Sequence, residues 1–304
     1  RWNGRTWKRE KVPQPEGLTE INAAACSSPD HCLATGGDGL WVNQFIDEWS
    51  EGTWTRSSAP RILAQGNDIA CPSQNNCWIV GERVLSSFGR GTFAQHWNGE
   101  RWKVVKTPNS RLGRIPGKGP GGATVFVPYG LQSISCSSKA DCVAVGRANN
   151  GGFAGQTVIR WNGRRWKRER VRLPNAKGYT YPSEPWGVGQ TGLWSVSCAT
   201  PRFCMAVGGG AIAFSFKWNG RRWLRVKTPR FVDRTKYYGA GLDEVACSSP
   251  RDCIATGFKA SNRTYSQPRM ALKWNGRSWR RLSVRGNRAR ATCDPSGHCV
   301  VRQR

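Results

Sequence analysis

Apolar and polar positions alternate in short runs along most of this chain, and the runs recur. Phe93/Gln95/Trp97, Thr157/Ile159/Trp161, Phe214/Phe216/Trp218 and Met270/Leu272/Trp274 each put every second residue on one side. A period of two over a few residues predicts half-buried β-strands. The same alternation appears in Ile134-Ser135-Cys136 and in Cys142-Val143-Ala144-Val145-Gly146. Strongly apolar runs are short, so no transmembrane helix is predicted.

Two signatures punctuate these strands. The first is C-x5-C, which accounts for all 12 cysteines: Cys26/Cys32, Cys71/Cys77, Cys136/Cys142, Cys198/Cys204, Cys247/Cys253 and Cys293/Cys299. The fillings (SSPDH, PSQNN, SSKAD, ATPRF, SSPRD, DPSGH) are turn chemistry. Apolar strands on either side predict a hairpin closed by a disulfide, because opposed strand positions lie at bridging distance. Zinc would need four convergent ligands. Only His31 and His298 lie inside these loops, so the pairs read as disulfides and no metal is expected. Each small ring restricts the unfolded chain by roughly 2–2.5 kcal/mol in the entropy model. The bridges imply an oxidising compartment, secreted or at the cell surface.

The second signature is a tryptophan-flanked turn. Trp161-Asn162-Gly163-Arg164-Arg165-Trp166 returns unaltered at 218–223, with near copies at 2–7, 97–102 and 274–279 and a looser one at 49–54. Asn-Gly predicts a two-residue type I′ turn. That register sets Trp161 opposite Arg164 and makes Trp161 and Trp166 diagonal neighbours on one face. In Trp49-Ser-Glu-Gly-Thr-Trp54 the glycine falls one place later, so a different turn is expected there. Twelve of the 16 tryptophans sit in these hairpins. Packing sheet against sheet is the favoured use. A ladder of exposed rings for sugars is the alternative, but it would leave the sheets without a core.

The two signatures alternate. Successive first cysteines are 45, 65, 62, 49 and 46 residues apart, a repeat of about four strands per unit. The chain starts with a tryptophan hairpin and finishes with a cysteine hairpin, so the two half-units complement each other. That predicts an all-β, six-bladed β-propeller of four-stranded blades, one C-x5-C disulfide per blade, with N-terminal strands completing the C-terminal blade. Residues 1–304 form a single domain on this reading, with blades starting near 20, 66, 130, 192, 241 and 287, and residues 1–11 closing the last. W-N-G-x-x-W followed by (V/I)-(S/A)-C-x5-C-x-A-(V/T)-G resembles repeats of secreted, propeller-like proteins of actinobacteria and related bacteria. The resemblance covers essentially the whole chain. It implies an extracellular address and supplies no catalytic residues. The chain begins at Arg1 inside a motif, without Met, which fits a leader removed or not included.

Charge adds a partner. Lys and Arg number 47 against 19 Asp and Glu, a net charge of +28, with 34 arginines among the cations. Such an excess attracts polyanions, and arginine forms planar forks with phosphate, sulfate and carboxylate. The cations gather on the outer strands: Arg164, Arg165, Lys167, Arg168 and Arg170; Arg221, Arg222, Arg225 and Lys227; Arg280 and Arg281. A solvated rim that blocks edge-to-edge aggregation is the competing reading. The long loops, on the face opposite the short turns, add Tyr179, Tyr181, Trp186, Arg234, Tyr237 and Tyr238. Aromatic residues beside basic ones suit acidic sugars or single-stranded nucleic acid; the alternative is that they fold back over the blades.

Catalytic signals are thin. His31, His96 and His298 are far apart, no carboxylate pair stands out, and Gly208-Gly-Gly210 lacks a phosphate-loop ending. No cofactor is expected. The favoured function is a non-catalytic secreted scaffold docking an acidic polymer (polysaccharide, envelope glycopolymer or extracellular nucleic acid) or an acidic protein surface through rim and loop face. A structural subunit of a surface layer, filament or envelope complex is the second reading. A lyase or hydrolase acting on acidic polysaccharide is the third.

Overall fold

The computed structural model describes residues 6, 8–13, 20–37, 44–57, 60, 62–86, 89–108, 117–118, 124–125, 129–150, 153–172, 192–210, 212–229, 237–261, 269–284, 289–293 and 297–303. All elements are strands. The first sheet contains β1 (Glu20–Ser28), β2 (His31–Gly37), β3 (Gln44–Ser50) and β4 (Thr53–Arg56). The second contains β5 (Ala64–Ser73), β6 (Asn76–Ser86), β7 (Gly89–Trp97) and β8 (Trp102–Val104). A short pair, β9 (Gly117–Lys118) and β10 (Thr124–Val125), precedes the third sheet of β11 (Tyr129–Ser138), β12 (Asp141–Asn150), β13 (Phe153–Trp161) and β14 (Trp166–Arg168). The fourth contains β15 (Gly192–Thr200), β16 (Phe203–Gly210), β17 (Phe214–Trp218) and β18 (Trp223–Val226). The fifth contains β19 (Tyr237–Ser249), β20 (Asp252–Ser261), β21 (Arg269–Trp274) and β22 (Trp279–Leu282). β23 (Ala289–Cys293) and β24 (Cys299–Gln303) end the chain.

Each of the five sheets is an antiparallel meander in chain order. The fourth and fifth are also joined directly, since Gly209 and Gly210 of β16 pair with Gly241 and Ala240 of β19. Gly209 and Gly210 of the glycine run therefore serve a strand seam.

Both signatures act through register. All six expected disulfides form: Cys26–Cys32, Cys71–Cys77, Cys136–Cys142, Cys198–Cys204, Cys247–Cys253 and Cys293–Cys299. In five of them the two cysteines are direct cross-strand partners. The Cys71–Cys77 pair departs from the expected register. It falls where the ladder shifts between Ala70 and Ser73, so the bridge spans an irregularity instead of a paired rung.

The second cysteine does more than bond its partner, which the spacing alone did not indicate. The Sγ atoms of Cys32, Cys77 and Cys253 lie 3.9, 3.7 and 3.9 Å from the carbonyl oxygens of Ser28, Ser73 and Ser249. Cys142 makes the same approach to Ser138 at 3.8 Å. These sulfurs are oxidised and carry no proton, so they donate nothing. The contact packs sulfur against the carbonyl at the start of the turn.

Four residues beyond the second cysteine of each of the five sheets stands a glycine. A Cβ on Gly146 would lie 2.0 Å from the carbonyl oxygen of Gly130, and one on Gly208 1.9 Å from that of Gly192. The inner strand bulges there, with register shifts between Leu131 and Ser133 and between Leu193 and Ser195. A bulge tips the backbone out of the ladder, and only hydrogen fits the space left facing it.

The core is a series of inter-sheet layers. Cys142, Ala144, Ile159 and Trp166 of the third sheet pack on Trp78, Val80 and Ala94 of the second. Val143, Val145 and Val158, on the other face of the third sheet, pack on Leu193, Phe214, Phe216, Trp218 and Trp223 of the fourth. The same division joins the first sheet to the second and the fourth to the fifth. The second strand of each inner sheet is thus covered on both faces, which explains its nearly unbroken apolar character. In the second to fifth sheets the tryptophan pair faces the preceding sheet. Trp102, Trp166 and Trp274 are all under 5% exposed, so the exposed-ladder reading fails and the packing reading stands.

Neighbouring inner strands are laced by one repeated hydrogen bond. The residue three before the first cysteine accepts the amide N–H two before the first cysteine of the next sheet. The pairs are Asp68 with Ile134 (2.8 Å), Ser133 with Val196 (3.3 Å), Ser195 with Val245 (3.1 Å) and Glu244 with Ala291 (2.9 Å). Ala23 of the first sheet and Arg290 of β23 hold the equivalent positions and offer no acceptor oxygen. Carboxylate and hydroxyl are interchangeable here because each presents an oxygen to the same backbone donor.

Candidate functional site

The tryptophan hairpins carry much of the exposed charge, and their geometry corrects the expected turn. Trp161 pairs directly with Trp166, not diagonally, and the ring centroids are 5.8 Å apart at 54°. Arg164 does not face Trp161. The loop is Asn162-Gly163-Arg164-Arg165, in which Gly163 has φ 84° and Asn162 is not left-handed. The Asn162 side chain bends inward, and its Oδ1 accepts the backbone N–H of Arg164 (3.2 Å) and of Arg165 (3.0 Å). Asn98, Asn219 and Asn275 do the same in their hairpins. An asparagine that caps its own turn wins over the type I′ alternative, because its side-chain oxygen satisfies two amides at once. The two-residue turn occurs instead at Glu51-Gly52, where both φ values are positive (51° and 81°), and Trp49 still pairs with Trp54.

All eleven predicted rim cations are exposed. The structure divides them. Lys167, Arg168, Arg225, Arg280 and Arg281 lie on outer strands, and Arg170 and Lys227 just beyond them. Arg164, Arg165, Arg221 and Arg222 stand instead at hairpin tips, on the short-turn face. Of the loop-face residues, Tyr179, Tyr181, Trp186 and Arg234 lie outside the described residues. Tyr237 and Tyr238 begin β19, and their side chains are likewise outside the description.

A polar staple beneath the tips is absent from the motif reading. Asp141 holds Arg160 at 2.6 Å and accepts the Ser137 hydroxyl at 2.5 Å. Asp252 pairs with Lys273 at the same position of the fifth sheet. In the first sheet the equivalent set is Ser27–His31–Glu48, with Ser27 Oγ 2.8 Å from His31 Nδ1 and His31 Nε2 3.3 Å from Glu48. That order of hydroxyl, imidazole and carboxylate resembles a nucleophile relay. Its recurrence as Ser137–Asp141–Arg160 shows a cross-strand tie instead. Arg160 then reaches the next sheet, donating to the Pro201 carbonyl at 2.7 Å and lying 4.6 Å over the Trp218 ring.

Burial displaces a few titrating groups. It pushes the Asp68 carboxyl up to about 6, against the lowering effect of the Ile134 and Ile69 amides and Ser133. Burial likewise raises Asp47 and Glu169, and it lowers His96, which stacks on Trp78 at 4.3 Å. None of these groups faces another across a shared cleft. A groove of about 440 Å³ at the second sheet is lined by Arg83, Phe93, Lys106, Thr107 and Pro108, among others. Among the described residues no three His, Cys, Asp or Glu side chains converge as a metal site would require, and no helix is long and apolar enough to cross a membrane.

No protein-family model matches the chain. Pectate lyase 1 of Ambrosia artemisiifolia is 29% identical over 117 residues, 33% of this chain and 28% of that protein's length. The fungal lectin of Aleuria aurantia, a six-bladed β-propeller that recognises fucose, superposes with a TM-score of 0.51 over 93% of this chain and 87% of its own, at 11% identity. The fold is propeller-like. Its four-stranded sheets are stapled by hairpin disulfides, six in all along the chain. A neuraminidase-like protein from A/bat/Guatemala/164/2009 gives a TM-score of 0.48 at 10% identity, over 95% of this chain and 79% of that one.

Proposed function

We propose that this chain is a non-catalytic, secreted scaffold that binds an acidic polymer through its cationic outer surface. The observation that carries the reading is the exposure of all eleven rim cations on three consecutive sheets. The ion pairs Arg160–Asp141, Arg269–Asp243 and Lys273–Asp252 are made by cations of third strands. A field of one sign attracts a polyanion and steers its approach. The disulfides support an extracellular address, since such bridges persist in oxidising surroundings.

On this reading the wheel has six blades, spans residues 1–304, and is closed by the N-terminal segment. Two observations support closure. Arg56 of β4 donates to the carbonyl of Pro13 at 3.1 Å, which sets the N-terminal segment beside the first sheet. Phe45 and Trp49, on the face of the first sheet turned away from the second, are 7% and 4% exposed. A buried face needs a neighbour, and a last blade completed by residues 1–11 is the one at hand.

The test is a titration of the intact protein with dextran sulfate, polygalacturonate and polyphosphate over a range of salt. Affinity should fall by about a thousandfold or more between roughly 50 and 200 mM salt if six or more contacts form. Absence of binding to all three polymers, or binding indifferent to salt, overturns the reading.

A further inference from the structure

The face of short turns, rather than the outer strands or the long loops, joins four of the rim cations (Arg164, Arg165, Arg221 and Arg222) to cations not yet assigned to a ligand, Lys139, Arg202, Arg251 and Arg277. It is built from two kinds of tip. The disulfide hairpins turn over two residues: Lys139-Ala140, Pro201-Arg202 and Pro250-Arg251 in the third, fourth and fifth sheets. In each, the hydroxyl two after the first cysteine accepts the second tip residue's N–H, as Thr200 does from Arg202 (3.3 Å) and Ser249 from Arg251 (3.2 Å). The tryptophan-hairpin tips lie against them. A Cβ on Gly220 would meet the Arg202 side chain at 3.4 Å, one on Gly276 the Arg251 side chain at 2.9 Å, and one on Gly163 Ala140 at 3.4 Å. Each sheet thus gathers cations from two hairpins at one spot: Lys139 with Arg164 and Arg165, Arg202 with Arg221 and Arg222, Arg251 with Arg277. All are exposed.

The tips are held from below. The Pro201 carbonyl accepts both the Trp218 indole (3.2 Å) and the Arg160 guanidinium (2.7 Å), and the Pro250 carbonyl accepts the Trp274 indole (3.0 Å). Asp141 and Asp252, which directly follow the tips of the third and fifth sheets, are taken up by Arg160 and Lys273. The first two sheets differ. Their tips present Asp30 and Glu51, then Asn75, Glu100 and Arg101, all exposed. Charge on this face therefore runs from acidic at the first sheet to basic at the third, fourth and fifth.

We infer that a linear polyanion lies on this face across the third, fourth and fifth sheets, one anionic segment per sheet. This deepens the proposed function and rests on it. Periodicity favours a polymer over a folded acidic protein, because like clusters recur on three consecutive, packed sheets and match a repeating ligand. The backbone of each tip is already fixed, so only the side chains need ordering on binding.

Two triple variants with the same change in charge make the test. The tip variant is Arg164→Glu, Arg221→Glu and Arg277→Glu. The strand variant is Lys167→Glu, Arg225→Glu and Arg280→Glu. Each is checked for native circular dichroism and intact disulfides, then titrated with dextran sulfate, polygalacturonate and polyphosphate, which separate sulfate, carboxylate and phosphate chemistry. The tip variant should lose at least about tenfold in affinity for the preferred polymer, and its salt slope should fall by about two units or more. The strand variant, whose cations belong to the same cationic surface but flank the line of contact, should lose less, about threefold, as expected of screened, longer-range charge. An equal or larger loss in the strand variant overturns the inference and leaves polyanion binding standing. If the unaltered protein binds none of the polymers, both fall. Capture of an acidic folded protein without any polymer binding overturns the inference too.

Discussion

The carboxylate of Asp68, in the second sheet, accepts the backbone N–H of Ile134, in the third, at 2.8 Å. Its other oxygen accepts the N–H of Ile69, also at 2.8 Å. Burial outweighs these bonds and holds the group near 6. The folded-state value lies above the unfolded one, so the folded state binds this proton more tightly. The contribution to stability is therefore full below about pH 4 and lost as pH rises through about 6. Two units of displacement correspond to an effect on the order of 3 kcal/mol. Asp68→Ser supplies the hydroxyl that Ser133 and Ser195 use in the same role. Urea unfolding of the two proteins at several pH values should show the wild-type curve declining across this window and the variant's curve flatter. Asp47 and Glu169 shift in the same sense and remain in both proteins, so the difference between the curves isolates Asp68. Parallel curves would reject the assignment.

Gly146 faces the Gly130 carbonyl so closely that a methyl group would sit 2.0 Å from it. Gly146→Ala must displace backbone, and the expected loss is about 2–3 kcal/mol. Gly52 gives the contrast: its φ is +81° but nothing lies within 4 Å of its would-be Cβ. Gly52→Ala should cost only about 1–2 kcal/mol, the left-handed strain alone. Thermal unfolding of the two variants side by side would show it, and equal losses would refute the bulge argument.

Asn162 satisfies two amides of its own turn. Asn162→Ala should lower stability by about 1 kcal/mol, and Asn162→Asp should recover most of that by restoring the acceptor. Trp166→Ala, by contrast, empties a site 4% exposed and should cost about 3–5 kcal/mol. A rescue failure with Asp would mean that the side-chain oxygen is not what holds the turn.

Each disulfide closes a ring within one hairpin, and the sulfurs of different rings share no partner. Cys136→Ala with Cys142→Ala should lower stability by roughly 2–2.5 kcal/mol. The paired change Cys198→Ala with Cys204→Ala should add to it nearly independently. Chemical denaturation of the two double variants and of the quadruple variant would check this. A strongly non-additive loss would mean that the rings act as one unit.

Much of this architecture was legible because the repeat is written in two rigid vocabularies. The cysteine spacing admits one hairpin, and that hairpin recurs with Cys136 opposite Cys142 and Cys247 opposite Cys253. The same spacing hides the slipped ladder at Cys71 and Cys77, because register depends on the strands and not on the length of the ring. The strand alternation ending in Trp161 or Trp218 named the faces that pack. The turn departs from the sequence expectation, because Asn-Gly supports both a type I′ turn and a side-chain-capped loop. Those differ by where the Asn162 oxygen points, which dipeptide statistics do not encode. The lacing of neighbouring inner strands was also invisible. Asp68, Ser133, Ser195 and Glu244 look unrelated as residue types and become equivalent only when each is seen holding the next strand's amide. The pairing of Arg202 with Gly220 joins residues of different hairpins, a tertiary contact that neither motif contains.

The ladder that runs from β16 into β19 makes the fourth and fifth repeats a single slab rather than two leaves. Breathing motions that separate neighbouring leaves must then occur at the other joints, and amide exchange at Gly209 and Gly241 should be among the slowest in the chain.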